Sequence, residues 1–248
     1  MNVYKKITDA SALNQKQLAL LIDPDKTKGA RLELLLKNAN DCNVDLIFFG
    51  GSLLTKTDFE HCLQIVKANT NIPVVIFPGN EMQVSPQADA ILFLSLISGR
   101  NADLLIGKHV AAAPFVHASN LEVISTGYIL VESGTITTAL YMSNSLPVPA
   151  NKPEIAVCTA LAGQYLGLKL IYLDAGSGAK NCAPAEMVTA VKKKINIPLL
   201  TGGGIKSPEK AREICKAGAD VIVVGNGPEE NNGLLQELTF AVHAPQIS

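Results

Sequence analysis

Eight short apolar runs recur along this chain, and most are unbroken by polar residues. They are Leu18–Ile22, Leu46–Phe49, Val74–Phe77, Ala90–Leu94, Tyr128–Val131, Leu170–Leu173, Pro198–Thr201 and Val221–Val224. Continuous apolar runs of this length read as parallel strands buried on both faces. Helix-like stretches stand between them, among them Leu32–Asn40, Asp58–Lys67, Ala185–Lys194 and Pro208–Ala217. The last is announced by Ser207-Pro208-Glu209, an N-cap followed by proline at the first helical position. Eight βα-like units in 248 residues predict one closed (β/α)8 TIM-type barrel domain over 1–248. A doubly wound sheet is the alternative, but no GxGxxG follows the first run.

The middle of the chain is less regular. Residues 132–152, ESGTITTALYMSNSLPVPANK, read as a long loop, which in a compact domain is usually functional or mobile. The formal net charge of -1 gives no general reason to expect nucleic acid or an anionic membrane as partner. Five cysteines without CxxC spacing fit reduced thiols rather than a disulfide framework or a zinc site. The apolar run near the N-terminus is too short for a signal peptide, and AILFLSLI is too short for a membrane span. The expectation is a soluble, cytoplasmic protein.

In such a barrel the chemistry sits at the C-terminal strand ends. Those ends read DPDK, GGS, PGN, DAGSGA, GGG and GNG in chain order, so glycine and acid gather at one rim. Glycines let backbone N–H groups converge on an anion beside a helix N-terminus. Gly203, Gly204, Gly225 and Asn226 suit a phosphate, with AGSG and the Ser177 hydroxyl adding donors. The same glycines would also serve plain tight turns. Asp23 and Asp25 flank a proline. Either acid could cap the next helix, or with Ser52 hold Mg2+ against substrate phosphates.

His61, His109, His117 and His243 show no metal-ligand spacing. The run of lysines at 192–194 reads as a solvated helix end. No lysine sits at a strand end inside the mouth, apart from Lys26 just beyond it, which disfavours Schiff-base chemistry, and no GxSxG is present.

LIDPDK, FFGGS, TGYILV, YMSNSLPVPANKPEIAV, TALAGQYLGLKLIYLDAGSGA and TGGGIKSPEKAREICKAGADVIVVGN together resemble the geranylgeranylglyceryl phosphate synthase family, from about Leu18 to Asn226. The YMSNSLPVP and ALAGQYLGLKLIYL stretches are similar to its second group, of archaeal and some bacterial members. The resemblance implies a Mg2+-dependent prenyltransferase of ether lipid biosynthesis, acting as a homo-oligomer. It joins the C3 hydroxyl of sn-glycerol 1-phosphate to a prenyl diphosphate, with a C20 donor favoured. A longer donor such as heptaprenyl diphosphate is the alternative. A phosphosugar isomerase-type barrel and a non-catalytic phosphate binder are the competing classes.

Carried over by motif, the glycerol phosphate site comprises Tyr172, Leu173, Asp174, Ala175, Gly176, Ser177 and Gly178, with Gly203, Gly204, Gly225 and Asn226. Asp174 takes the role of catalytic base, and Asp23 and Ser52 that of metal ligands. Two departures stand out. The family usually carries Glu at position 174, and many first-group members carry Lys where this chain has Leu21.

Overall fold

The eight apolar runs pair edge to edge in chain order, all parallel, and the eighth returns to the first. The computed structural model describes residues 2–55, 58–225 and 232–245. The strands are β1 Gln17–Ile22, β2 Leu46–Phe49, β3 Val74–Ile76, β4 Ala90–Leu96, β5 Glu122–Leu130, β6 Leu170–Asp174, β7 Leu199–Gly202 and β8 Val221–Val224. The helices that follow them or precede β1 are α1 Val3–Ala12, α2 Gly29–Asp41, α3 Phe59–Asn69, α4 Lys108–Ser119, α5 Thr138–Ser143, α6 Pro153–Tyr165, α7 Ala185–Lys192, α8 Pro208–Lys216 and α9 Asn232–His243. A π turn, Asp103–Gly107, leads into α4. At the start of α8 the Ser207 side chain accepts from the Lys210 amide, as the sequence predicts.

Strand side chains alternate between two layers. Ala19, Leu46, Phe48, Val75, Leu92, Leu170, Tyr172, Leu200 and Val223 fill the barrel interior. Leu20, Ile22, Ile47, Phe49, Ile171, Leu173 and Val224 pack outward under the helices. This two-step period puts Asp23 in line with Ala19 and Leu21, and Asp174 in line with Leu170 and Tyr172. Both acids therefore face inward at the C-terminal rim. At the opposite end α1 seals the barrel. Its Val3 and Ile7 join the interior core, and the Glu122 carboxylate accepts the amides of Val3 (2.6 Å) and Tyr4 (2.9 Å).

Three sequence expectations are corrected. The strand expected at Tyr128–Val131 begins six residues earlier, at Glu122. Ser125, Thr126 and Gly127 break its apolar run, yet Thr126 bonds back to the Ile124 carbonyl and Gly127 lies beneath Ile97 and Ile171. The 132–152 stretch is not all loop: it carries α5, with the Thr137 side chain as N-cap. The third concerns the βα repeat. Residues 77–89 join β3 to β4 without a helix, because Pro78, Gly79 and Pro86 punctuate the segment. The outer faces of Ile91 and Phe93, which a helix would have covered, instead line an apolar groove closed on its far side by α4. Among the described residues no helix is long and apolar enough to cross a membrane.

Candidate active site

Two cavities meet at the C-terminal rim. The first is polar and lies over the barrel axis, bordered by the strand ends. The second is the apolar groove, whose walls include Ile91, Phe93, Leu96, Leu104, Ala112 and Val116. Gly51, Ser52, Leu53, Phe77 and Tyr128 border both, so the polar pocket opens directly into the groove.

The floor of the polar pocket is aromatic. Phe77, Tyr128 and Tyr172 stack mutually, with ring centroids 5.5–6.0 Å apart. Asp174 stands above them and is only 4% exposed. One of its oxygens accepts the Tyr128 hydroxyl hydrogen, and the other accepts the Gly176 amide at 2.9 Å. Burial pushes the Asp174 carboxyl above the usual aspartate range, while these two donors pull it partly back. Burial, reinforced by the nearby Asp174 charge, raises both Tyr128 and Tyr172 well above the usual phenol range. Both phenols thus remain protonated donors across the ordinary pH range.

The glycines of the rim hold loops against one another. Gly203 and Gly204 have φ of +74° and +72°. A Cβ on Gly203 would lie 2.8 Å from Asp174 Oδ1, and one on Gly204 would lie 2.6 Å from the Asn181 carbonyl carbon. Their close approach is therefore to the β6 loop as well as to the pocket.

The two aspartates of DPDK part company. Asp23 lines the polar pocket, where its Oδ1 accepts the Asp25 amide at 3.0 Å. Asp25 Oδ2 accepts the Thr55 amide at 2.6 Å and ties the β1 loop to the β2 loop. Neither acid caps α2, whose N-cap residue is Lys28. The Asp23 carboxylate lies 3.0 Å from where a Cβ on Gly51 would be, beside Ser52. A carboxylate and a hydroxyl at the edge of an anion pocket fit a hard divalent ion that takes few protein ligands. Among the described residues no group of three or more His, Cys, Asp or Glu side chains forms a separate metal centre.

Ten residues expected at the site line this one pocket: Asp23, Ser52, Tyr172, Asp174, Gly176, Ser177, Gly178, Gly203, Gly204 and Gly225. Leu173 and Ala175 are buried and do not line it: Leu173 packs into the outer core layer, and Ala175 donates its amide to the Gly202 carbonyl. Asn226 lies outside the described residues.

The profile of the PcrB family matches residues 11–242.

This chain belongs to the PcrB family.

Curated relatives agree along nearly the whole length. The geranylgeranylglyceryl phosphate synthase of Chitinophaga pinensis is 48% identical over 242 residues, covering 98% of this chain and 96% of that protein. That of Spirosoma linguale is 49% identical over 236 residues, 95% of each. The crystal structure of (S)-3-O-geranylgeranylglyceryl phosphate synthase from Thermoplasma acidophilum, in complex with sn-glycerol-1-phosphate, superposes with a TM-score of 0.92 at 31% identity, over 98% of this chain and 99% of that one.

Tyr128 and Lys26 are among the pocket residues of this PcrB-family chain that the sequence alone does not single out. Tyr128 lies within TGYILV, where nothing in the sequence marks it, and only the β5–β6 register, Tyr128 beside Tyr172, brings it to Asp174. Lys26, expected just beyond the mouth, is inside it. It lines the pocket and reaches Asp23 Oδ2 at 2.9 Å.

Proposed function

We propose that this PcrB-family chain is a Mg2+-dependent prenyltransferase that joins sn-glycerol 1-phosphate to geranylgeranyl diphosphate, giving geranylgeranylglyceryl phosphate and diphosphate. One observation carries the reading: a polar pocket holding a buried, basic carboxylate opens through Ser52 and Tyr128 into an apolar groove. A small anionic acceptor suits the first cavity and an isoprenoid tail the second. The kinship with the Chitinophaga and Thermoplasma enzymes supports both halves.

The glycerol phosphate is assigned to the loops after β6, β7 and β8. Backbone N–H groups about Ser177, Gly178, Gly203, Gly204 and Gly225 are assigned to its phosphate, while Gly176, which also lines the pocket, lends its amide to Asp174. Leu173 and Ala175 serve this site through the backbone alone. The C3 hydroxyl is directed to Asp174.

The tail is assigned to the groove, with its diphosphate at the rim beside Asp23 and Ser52. These two residues would hold Mg2+, which when bound stabilises the leaving diphosphate. The reaction forms the bond from the glycerol C3 oxygen to the allylic carbon and breaks that carbon's bond to diphosphate oxygen. The hydroxyl proton passes to Asp174. Burial makes this carboxylate a better acceptor than a solvent-exposed aspartate, and Tyr128 and the Gly176 amide hold it in place. The faces of Phe77, Tyr128 and Tyr172 line the space where positive charge develops on the tail, and aromatic faces attract cations.

The test is direct. Purified protein is incubated with labelled sn-glycerol 1-phosphate, Mg2+ and prenyl diphosphates of several lengths. Labelled ether product that forms with the C20 donor and vanishes with chelator is the expected result. Absence of product with every donor would remove the reading.

A further inference from the structure

A carboxylate aimed into a pocket built for anions needs a partner. Lys26 is that partner. Its Nζ stands 2.9 Å from Asp23 Oδ2 and donates to Ser177 Oγ at 3.3 Å, spanning the mouth from the β1 loop to the β6 loop. The other Asp23 oxygen accepts the Asp25 amide. Both carboxylate oxygens thus have donors from within the DPDK turn.

The turn itself is fixed. The amides of Lys26 and Thr27 both bond to the Asp23 carbonyl, at 3.0 and 3.1 Å, and Asp25 anchors the turn to Thr55. The Lys26 side chain is different in kind: it is 47% exposed and carries its charge on a flexible four-carbon stem. A mobile cation on a rigid base can hold one partner and then another. Its two present neighbours mark the two halves of the site, Asp23 on the diphosphate side and Ser177 on the glycerol phosphate side.

We propose that Lys26 is a positioning residue with two stations, which makes metal binding conditional on the donor's diphosphate. At the first station its ammonium neutralises Asp23 and opposes a divalent ion there. A diphosphate entering beside Ser52 offers the ammonium a stronger anion. Lys26 turns to it, Asp23 Oδ2 is released, and the ion and the diphosphate bind as a unit. The inference rests on the prenyltransferase reading of the same pocket, in particular on Asp23 as metal ligand.

The experiment uses the full chain and two probes: Mn2+ alone, followed by its paramagnetic resonance, and inorganic diphosphate alone in the presence of chelator. Lys26→Met is expected to bind Mn2+ at least tenfold more tightly than wild type and inorganic diphosphate at least tenfold more weakly. Lys26→Arg keeps the charge and is expected to stay within a few-fold of wild type for both. A merely structural lysine would weaken both ligands or neither. Unchanged Mn2+ affinity in Lys26→Met, with Mn2+ binding abolished by Asp23→Asn, would overturn the two-station role and leave the metal site standing. Wild-type Mn2+ binding in Asp23→Asn would instead overturn the metal site and this inference with it.

Discussion

Across the seam between β5 and β6, the hydroxyl of Tyr128 donates to the carboxylate of Asp174. That hydrogen bond favours the charged form of an acid that burial pushes the other way. Removing it with Tyr128→Phe raises the Asp174 pKa further. The acidic limb of the kcat/KM profile, which reports the base of the free enzyme, is expected to move to higher pH. An unmoved limb, with only a uniform loss of rate, would mean that Tyr128 supports packing and does not tune the base.

Asp174 itself sets the turnover. Asp174→Asn preserves shape and the two donors around it while removing the proton acceptor. A drop in kcat of roughly 10² or more, with the KM for glycerol phosphate within a few-fold, is expected. Asp174→Glu keeps a carboxylate at this position, so it should retain more activity than the Asn variant. Steady-state kinetics of the two variants side by side decide it.

The metal assignment makes a ranking. Asp23→Asn removes a full charge from the pocket, Ser52→Ala removes a weak neutral ligand, and Asp25→Asn disturbs a contact to Thr55 away from the pocket. In a Mg2+ titration of prenyl transfer the half-saturating concentration should rise most for Asp23→Asn and less for Ser52→Ala. Asp25→Asn should follow wild type in its Mg2+ midpoint even if the protein is less stable. The opposite order for the two acids would assign the metal to Asp25.

Gly225 is the glycine on which to test the acceptor pocket. A Cβ there meets nothing closer than 3.6 Å, whereas one on Gly204 would collide with the Asn181 backbone. Gly225→Ala should therefore fold normally and raise the KM for glycerol phosphate without raising that for the prenyl donor. Gly204→Ala should lower the melting temperature as well. Equal KM effects on both substrates in Gly225→Ala would remove the assignment.

A clamp far from the pocket has its own pH dependence. His243 of α9 hydrogen-bonds Asp45 at 2.7 Å, and this bond raises its pKa. A raised folded-state pKa means that the stabilisation is full below the unfolded value of about 6.5 and is lost as pH rises through the folded value. His243 is about one-third exposed, so solvent screening keeps the contribution to about 0.5 kcal/mol. His243→Gln should melt about 1–2 °C below wild type at pH 5.5 and at nearly the same temperature at pH 9. A constant difference across that range would point to packing.

The sequence announces the barrel wherever burial is two-sided. Leu46–Phe49 and Val221–Val224 match the observed strands residue for residue, because nothing polar interrupts them. It conceals β5, where a buried threonine and a glycine under neighbouring side chains mimic a turn. Helices α4 and α6 also lack a clean amphipathic stripe. Part of α4 faces the groove, while Val110 and Phe115 are exposed on its other side. The site was legible as a set of strand ends. Its internal wiring was not, since the contacts of Tyr128 with Asp174 and of Lys26 with Ser177 join residues 46 and 151 positions apart.

The helix that closes the base of the barrel carries a consequence for how the chain comes together. Helix α1 is made before any of the strands, yet the carboxylate that receives its leading amides belongs to Glu122, 119 positions downstream of Val3. Ten residues are too few to hold a helix on their own in water. As the chain leaves the ribosome, α1 therefore waits until β5 has emerged, and its docking belongs to the late, high-contact-order part of folding.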